Sequence, residues 1–214
     1  MRGNIRKPLQ QRSRDTANNV LNALDTLLRE KDLANISIQE LAHTSGASIS
    51  SIYARFSDKH AMVLALHQKV SEDTLNLISK IKEMERESLS LQSLIKRSIA
   101  YYLAFARKHQ HIFRAAILSN DALIYNRVVN QICFASELIY KTAVTYKELQ
   151  QPDLEKKIDF ALRVVVATLQ QTWVMNTIAP TRFNLHDDEL ANELAEMACH
   201  YITRPSGDAV GHSR

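Results

Sequence analysis

A chain of 214 residues can bury roughly 70% of the surface it exposes when unfolded, enough for one ordinary core and a smaller second one but too little for three domains. Glycine stands only at Gly3, Gly46, Gly207 and Gly211 and proline only at Pro8, Pro152, Pro180 and Pro205, so nothing between Ala47 and Gln151 breaks a helix, and the expected fold class is all-α. A net charge of +4 defines no partner by itself, and two cysteines in a chain this long exclude a disulfide framework.

The N-terminus is basic, with Arg2, Arg6, Lys7, Arg12 and Arg14 all preceding the first acid, Asp15. No apolar run follows, so the segment is not a secretory signal. It is either a solvated tail or an arm that touches phosphates or the minor groove of a duplex, and both readings stay open. Residues 1–60 hold nine Lys or Arg against six Asp or Glu, whereas the rest hold 18 against 17, so the excess charge lies in the first quarter of the chain. From about Arg14 to Glu30, Val20, Leu21, Leu24, Leu27 and Leu28 form the apolar stripe of a first helix.

The stretch Ser37–Lys59, SIQELAHTSGASISSIYARFSDK, reads as helix, tight turn, helix. Ser37 with Glu40 is a capping box, and Gly46 supplies the left-handed residue that stops this helix after about two turns. Ser48 can cap a second helix in which Ile52 and Phe56 face inward, leaving Ile49, Ser50, Ser51, Tyr53 and Arg55 on a surface nearly free of acids. Ile36, Ile38, Leu41, Ile52 and Phe56 complete a small three-helix core with the first helix. Such a pair of helices either reads a major groove or is a plain helical hairpin.

Gly46-Ala47-Ser48, then Ile52-Tyr53-x-x-Phe56, then Lys59, resembles the signature of the TetR family of bacterial transcriptional regulators, commonly G-V-S-x-G-T-L-Y-x-H-F-x-x-K. The match covers about the first sixty residues, and the remainder is similar in length and helical character. The resemblance implies a homodimeric, ligand-responsive DNA-binding regulator, a repressor; the residues themselves, with no phosphate loop and no nucleophile elbow, lead to the expectation of no catalytic residues, no cofactor and no metal. It places Gln39 against bases, Ser37, Ser48, Ser51, Tyr53 and Lys59 against phosphate or the groove wall, and Ile49 and Ser50 at specificity positions. Ser50 stands where glycine is frequent and Arg55 where histidine is usual. The start of the first helix, near Arg12 to Ala17, would meet the DNA backbone.

Ser57 and Asp58 cap a long helix patterned Met62, Leu66, Val70, Leu77 and Ile81, expected to run to about Met84 and to span about 40 Å. It is a lever between two domains or a plain scaffold. Further helices are expected at about 91–108, 111–118, 121–148, 154–178 and 187–203, with breaks at Ser88 to Ser90, Ser119-Asn120-Asp121, Gln151-Pro152-Asp153 and Ala179-Pro180-Thr181. About nine helices result, in a helix-turn-helix domain over 1–60, a helical effector-binding and dimerisation domain over 61–204, and a flexible tail over 205–214.

Between Phe160 and Val174 the pattern is apolar on nearly every side. One face would meet its own core and another a second copy of the chain, through the last two helices; the alternative is a helix threading one domain. The best apolar stretch, Phe160 to Leu169, is broken by Arg163 and reaches half of a membrane span, so a soluble, cytoplasmic protein with Cys133 and Cys199 buried and inert is expected. Tyr101, Tyr102, Phe105, Phe113, Phe134, Trp173 and Met175 are enough to line an apolar chamber or to fill a plain core. Of these, Tyr102, Phe105, Phe113, Phe134 and Trp173 are the candidate contacts to a small apolar or aromatic effector, a chamber that rests chiefly on the resemblance. His109-x-His111 and His186-Asp187-Asp188 hold metal-ligand types but not a zinc-site spacing, and the second is better read as the acidic start of the last helix. Glu83, Glu85 and Glu87 read as a solvated face. The competing reading of the whole is a helical protein–protein interaction module without sequence-specific DNA binding.

Overall fold

The computed structural model describes residues 9–80, 90–146, 149–175 and 182–205, with side chains from Ser13 onward and without those of Val174 and Met175. The expectations for Arg2, Arg6 and Lys7, for the side chains of Arg12 and Met175, for Ile81 to Met84 with Glu85 and Glu87, for Ser88, for Ala179-Pro180-Thr181 and for residues 206–214 lie outside the described residues.

All regular structure among the described residues is helical: α1 Leu9–Leu28, a short 3-10 turn Leu33–Asn35, α2 Ile38–Ser45, α3 Ile49–Tyr53, α4 Lys59–Ser79, α5 Leu91–Leu118, α6 Ala122–Ala143, α7 Leu154–Met175 and α8 Asp187–Thr203. Helix α5 corrects the expectation of two helices at 91–108 and 111–118. Arg107-Lys108-His109-Gln110 is polar, but none of these residues lacks an amide or favours a left-handed backbone, so a polar stretch here is a solvated face and not a stop. No helix among the described residues is long and apolar enough to cross a membrane.

Two compact units emerge, residues 1–70 with 111–124, and residues 71–110 with 125–214. The first unit, the head, buries Val20, Leu21, Leu24, Leu27 and Leu28 of α1 against Ile36, Leu41, Ile52 and Phe56, the expected set apart from a half-buried Ile38. Met62, Val63 and Leu66 of α4 and Ile112, Ala115 and Ala116 of α5 extend this core. Polar ties on the same residues fix the register: the His111 imidazole meets the Asp25 carboxylate, Arg114 pairs with Asp32 at 3.0 Å, and His60 Nε2 lies 2.8 Å from Asp121. Asp121 also accepts from the Leu123 amide at 2.7 Å, and with Asn120 at φ 51° it makes the turn between α5 and α6.

In the second unit α7 and α8 pack on each other, and Ala161, Leu169, Leu194 and Ala198 on them are buried. Their ends are locked by Lys157, whose buried ammonium donates to Gln151 Oε1 at 2.8 Å and to the Arg204 carbonyl, with Asp153 at 3.4 Å. A cation at the C-terminus of α8 answers the negative end of that helix. Cys199 is buried, and desolvation pushes its thiol up to about 11. Cys133 is exposed on α6, which corrects the expectation that both cysteines are buried: its neighbour Ile132 takes the inward position, and successive residues on a helix point about 100° apart.

Candidate nucleic-acid interface and cavity

The head's outer surface is built by two caps. Ser37 Oγ accepts from the Glu40 amide at 3.1 Å while Glu40 Oε2 accepts from the Ser37 amide at 2.9 Å, so the capping box read from the sequence is present in both halves. The Lys31 ammonium also donates to Glu40; with the Ser37 amide and hydroxyl it holds that carboxyl down at about 2. Gly46 has φ 67° and ends α2, and Ser48 Oγ accepts from the Ser51 amide at 3.2 Å to start α3. Within one turn Ser48 Oγ also lies 3.0 Å from Ser50 Oγ and 2.9 Å from Ser51 Oγ, so the three hydroxyls form one exposed cluster. Ile52 is buried beneath it, while Gln39, Ile49 (41% exposed), Ser50 and Tyr53 (52% exposed) face outward.

Two cations that the sequence assigns to this surface are used differently. Lys59 Nζ donates to the carbonyls of Leu33 (2.8 Å), Ile36 (2.8 Å) and, more weakly, Ala34 (3.5 Å), so its three protons already point at the backbone ahead of α2. Arg55 Nε donates to the Ser13 carbonyl at 3.0 Å and Nη1 to the Ser51 carbonyl at 2.7 Å, tying the start of α1 to α3. Asp58 accepts from the Ala61 amide at 2.7 Å, the cap expected for α4, and that bond lowers its pKa.

The second unit holds a half-open cavity of about 100 Å³ between α4, α5, α6, α7 and α8. The row Val128, Ile132, Ala135 and Ile139 of α6 forms one wall, facing Ile95 and Ile99 of α5. Four of the 18 lining residues are polar, Thr74, Ser98, Tyr102 and Gln131, and none carries a charge. Burial without a hydrogen bond pushes the Tyr102 hydroxyl up to about 12.

Residues 20–66 match the family model of bacterial regulatory proteins of the tetR family. Over α1 to α4 the head is therefore similar to the TetR family. The whole chain shares its fold with TetR-type solved structures: a tetR-family transcriptional regulator from Streptomyces coelicolor (TM-score 0.66, 18% identity, 91% of this chain and 82% of that one), a transcriptional regulator from Cytophaga hutchinsonii (0.65, 15%, 86% and 95%) and a bacterial regulatory protein of the tetR family from Rhodococcus RHA1 (0.63, 13%, 87% and 96%). No curated protein matches the chain.

Against this TetR fold, the five candidate effector contacts separate. Tyr102 lines the cavity, and buried Trp173 lies beside it with ring centroids 6.4 Å apart. Phe105 stacks on His109 at 4.7 Å, and Phe113 meets the His67 ring edge-on in the head at 6.2 Å. Phe134 is 40% exposed on the far side of α6, in a shallow surface hollow with Glu137 and Lys141. Tyr101 is exposed as well. The wall is therefore aliphatic rather than aromatic. Ser98 and Gln131 went unread in the sequence; the available signal was a polar residue inside an otherwise apolar row, one turn before Tyr102 in the first case.

Proposed function

We propose that this chain is a homodimeric TetR-family repressor, released from a two-fold symmetric operator by a small apolar effector held in the cavity of the second unit. The observation that carries it is the exposed, acid-free surface of Gln39, Ile49, Ser50 and Tyr53 resting on a fully capped, fully packed pair of short helices, a shape and chemistry suited to a major groove. Gln39 and Ser50 offer hydrogen bonds to base edges and Ile49 an apolar contact to a thymine methyl. Ser37, Ser48, Ser51 and Tyr53 offer hydroxyls to phosphates. Arg55 is a positioning residue that holds the first turns of α1 beside α3, and Lys59 adds positive potential while fixing the loop ahead of α2.

Dimerisation is supported by the outer face of α7 and α8. Phe160 is 46% exposed and stacks on Tyr201 at 5.3 Å, with Met197 exposed nearby, so an apolar strip remains after the chain's own core is filled. Two heads about 34 Å apart would then address two half-sites. Release is supported by α4, one unbroken helix that starts at Lys59 and presents Thr74 and Ile78 to the cavity. The basic arm at Arg2, Arg6, Lys7, Arg12 and Arg14 is proposed to add phosphate contacts.

The test is a gel shift with DNA from upstream of the chain's own gene, paired with sedimentation. A dimer at micromolar concentration and a shifted fragment are expected, and Tyr53→Ala should weaken binding about tenfold on any sequence that binds. A monomer, or no shift on any genomic fragment at low ionic strength, would overturn the reading.

A further inference from the structure

We infer that the cavity selects an uncharged, aliphatic molecule carrying one oxygen function, such as an alcohol, ketone or ester, and rejects the carboxylate or ammonium of the same carbon skeleton. The inference rests on the reading of the second unit as effector-binding and adds the chemical class.

Three features of the lining carry it. Among the described residues, none that lines this space is Asp, Glu, Lys, Arg or His, so an ion entering it would lose its hydration with no opposite charge to replace it. The walls are branched and small aliphatic side chains, and Tyr102 is the one aromatic residue among them, which suits a flexible alkyl body better than a stack of flat rings. The third feature is the unused hydrogen-bonding capacity. Ser98 Oγ is closed off from solvent and has no partner, and the Tyr102 hydroxyl, one helical turn further along α5, makes no hydrogen bond among the described residues. On the facing helix, Gln131 donates through Nε2 to the Ser71 carbonyl at 3.3 Å and keeps its Oε1 for a donor.

Ser98 Oγ stays unsatisfied until an acceptor arrives, the Tyr102 hydroxyl can donate beside it, and Gln131 Oε1 can accept from a ligand donor. A ketone or ester oxygen can accept from either hydroxyl, and an alcohol can also donate to Gln131. A pure hydrocarbon fills the space but answers none of them. A carboxylate could accept from both hydroxyls, yet its full charge would stay unpaired.

The chain carries its own reporter, because Trp173 is its single tryptophan and sits beside Tyr102. The experiment is titration of the full-length protein, followed by Trp173 fluorescence, with decane, decanol, methyl nonanoate, decanoate and decylamine. Decanol and methyl nonanoate should bind at least about tenfold more tightly than decane, decanoate or decylamine. Tyr102→Phe should weaken decanol about fivefold and leave decane unchanged, with Ser98→Ala as a second, smaller change that spares the ring packing. Tighter binding of decanoate or decylamine, equal binding of decane and decanol, an unaltered series in both variants, or no fluorescence response to any member would overturn the inference. A separate arm adds operator DNA. Decanol that binds with the expected selectivity but leaves the DNA bound would sink the release mechanism and keep the ligand class.

Discussion

In the head, Ser37, Ser48, Arg55 and Lys59 are each bonded to backbone groups, and Val20, Leu24, Leu41 and Ile52 have no exposed surface left. In the second unit, Ser98 Oγ is buried without a partner among the described residues, Tyr102 lines a cavity, and Ile132 and Val166 border the same space half-buried. Both units contain helices of similar amphipathic pattern, so composition does not separate them. The difference is whether the inward face meets atoms or a void. A filled unit holds one geometry, whereas a unit with open space beside its inward face has free energy to gain from a guest.

The largest expected effect comes from testing that contrast directly. Ile52→Ala removes a side chain from a site with no free volume and should destabilise the head by about 3 kcal/mol. Ile132→Ala removes the same atoms from a cavity wall and should cost about 1 kcal/mol, because a space already exists there and the lost contacts are fewer. Chemical denaturation of both variants measures the pair, and equal losses would erase the distinction between the units.

Lys59 sharpens the comparison from the polar side. Replacing it by Met keeps the stem and removes hydrogen bonds to the carbonyls of Leu33 and Ile36, at an expected cost of about 2 kcal/mol. Tyr53→Ala, half-exposed and outside any core, should change stability by less than about 0.5 kcal/mol while weakening DNA binding. If Lys59→Met left stability untouched and only reduced affinity, the ammonium would belong to the phosphates and not to the loop.

How much of this was readable from the chain follows the same division. The head's caps at Ser37, Gly46 and Ser48 and its buried stripe are local signals, spaced by one to four residues, and the structure has each of them. The bonds of Lys59 reach back 23 to 26 residues to main-chain carbonyls, a partner type that leaves no trace in side-chain patterning. In the second unit, periodicity picked out Val128, Ile132, Ala135 and Ile139 as inward-facing but could not tell a packed face from a cavity wall. The aromatic set divides for a related reason: Tyr102 lines the cavity with Trp173 beside it, Phe105 and Phe113 have ring partners of their own, and Phe134 lies one position further round α6 than the exposed Cys133. The all-round apolar pattern of α7 divides into a cavity face at Ala161, Leu162, Val165 and Val166, a core position at Leu169, and an outer face at Phe160.

The smallest expected effect concerns Glu40, on the exposed rim of the head. Its carboxyl is held at about 2 by the Lys31 ammonium first and the Ser37 amide and hydroxyl second, against 4.5 when unfolded. A carboxyl whose pKa falls on folding adds stability that is complete above its unfolded value and is lost as the proton is taken up on the way down. The head should therefore lose a small increment of stability as pH drops from 4.5 toward 2, and Glu40→Gln should flatten that part of the profile while retaining an acceptor for the Ser37 amide. Thermal unfolding of the two proteins across this window measures it. Parallel profiles would mean that the capping box, and not the charge on it, keeps the start of α2 in place.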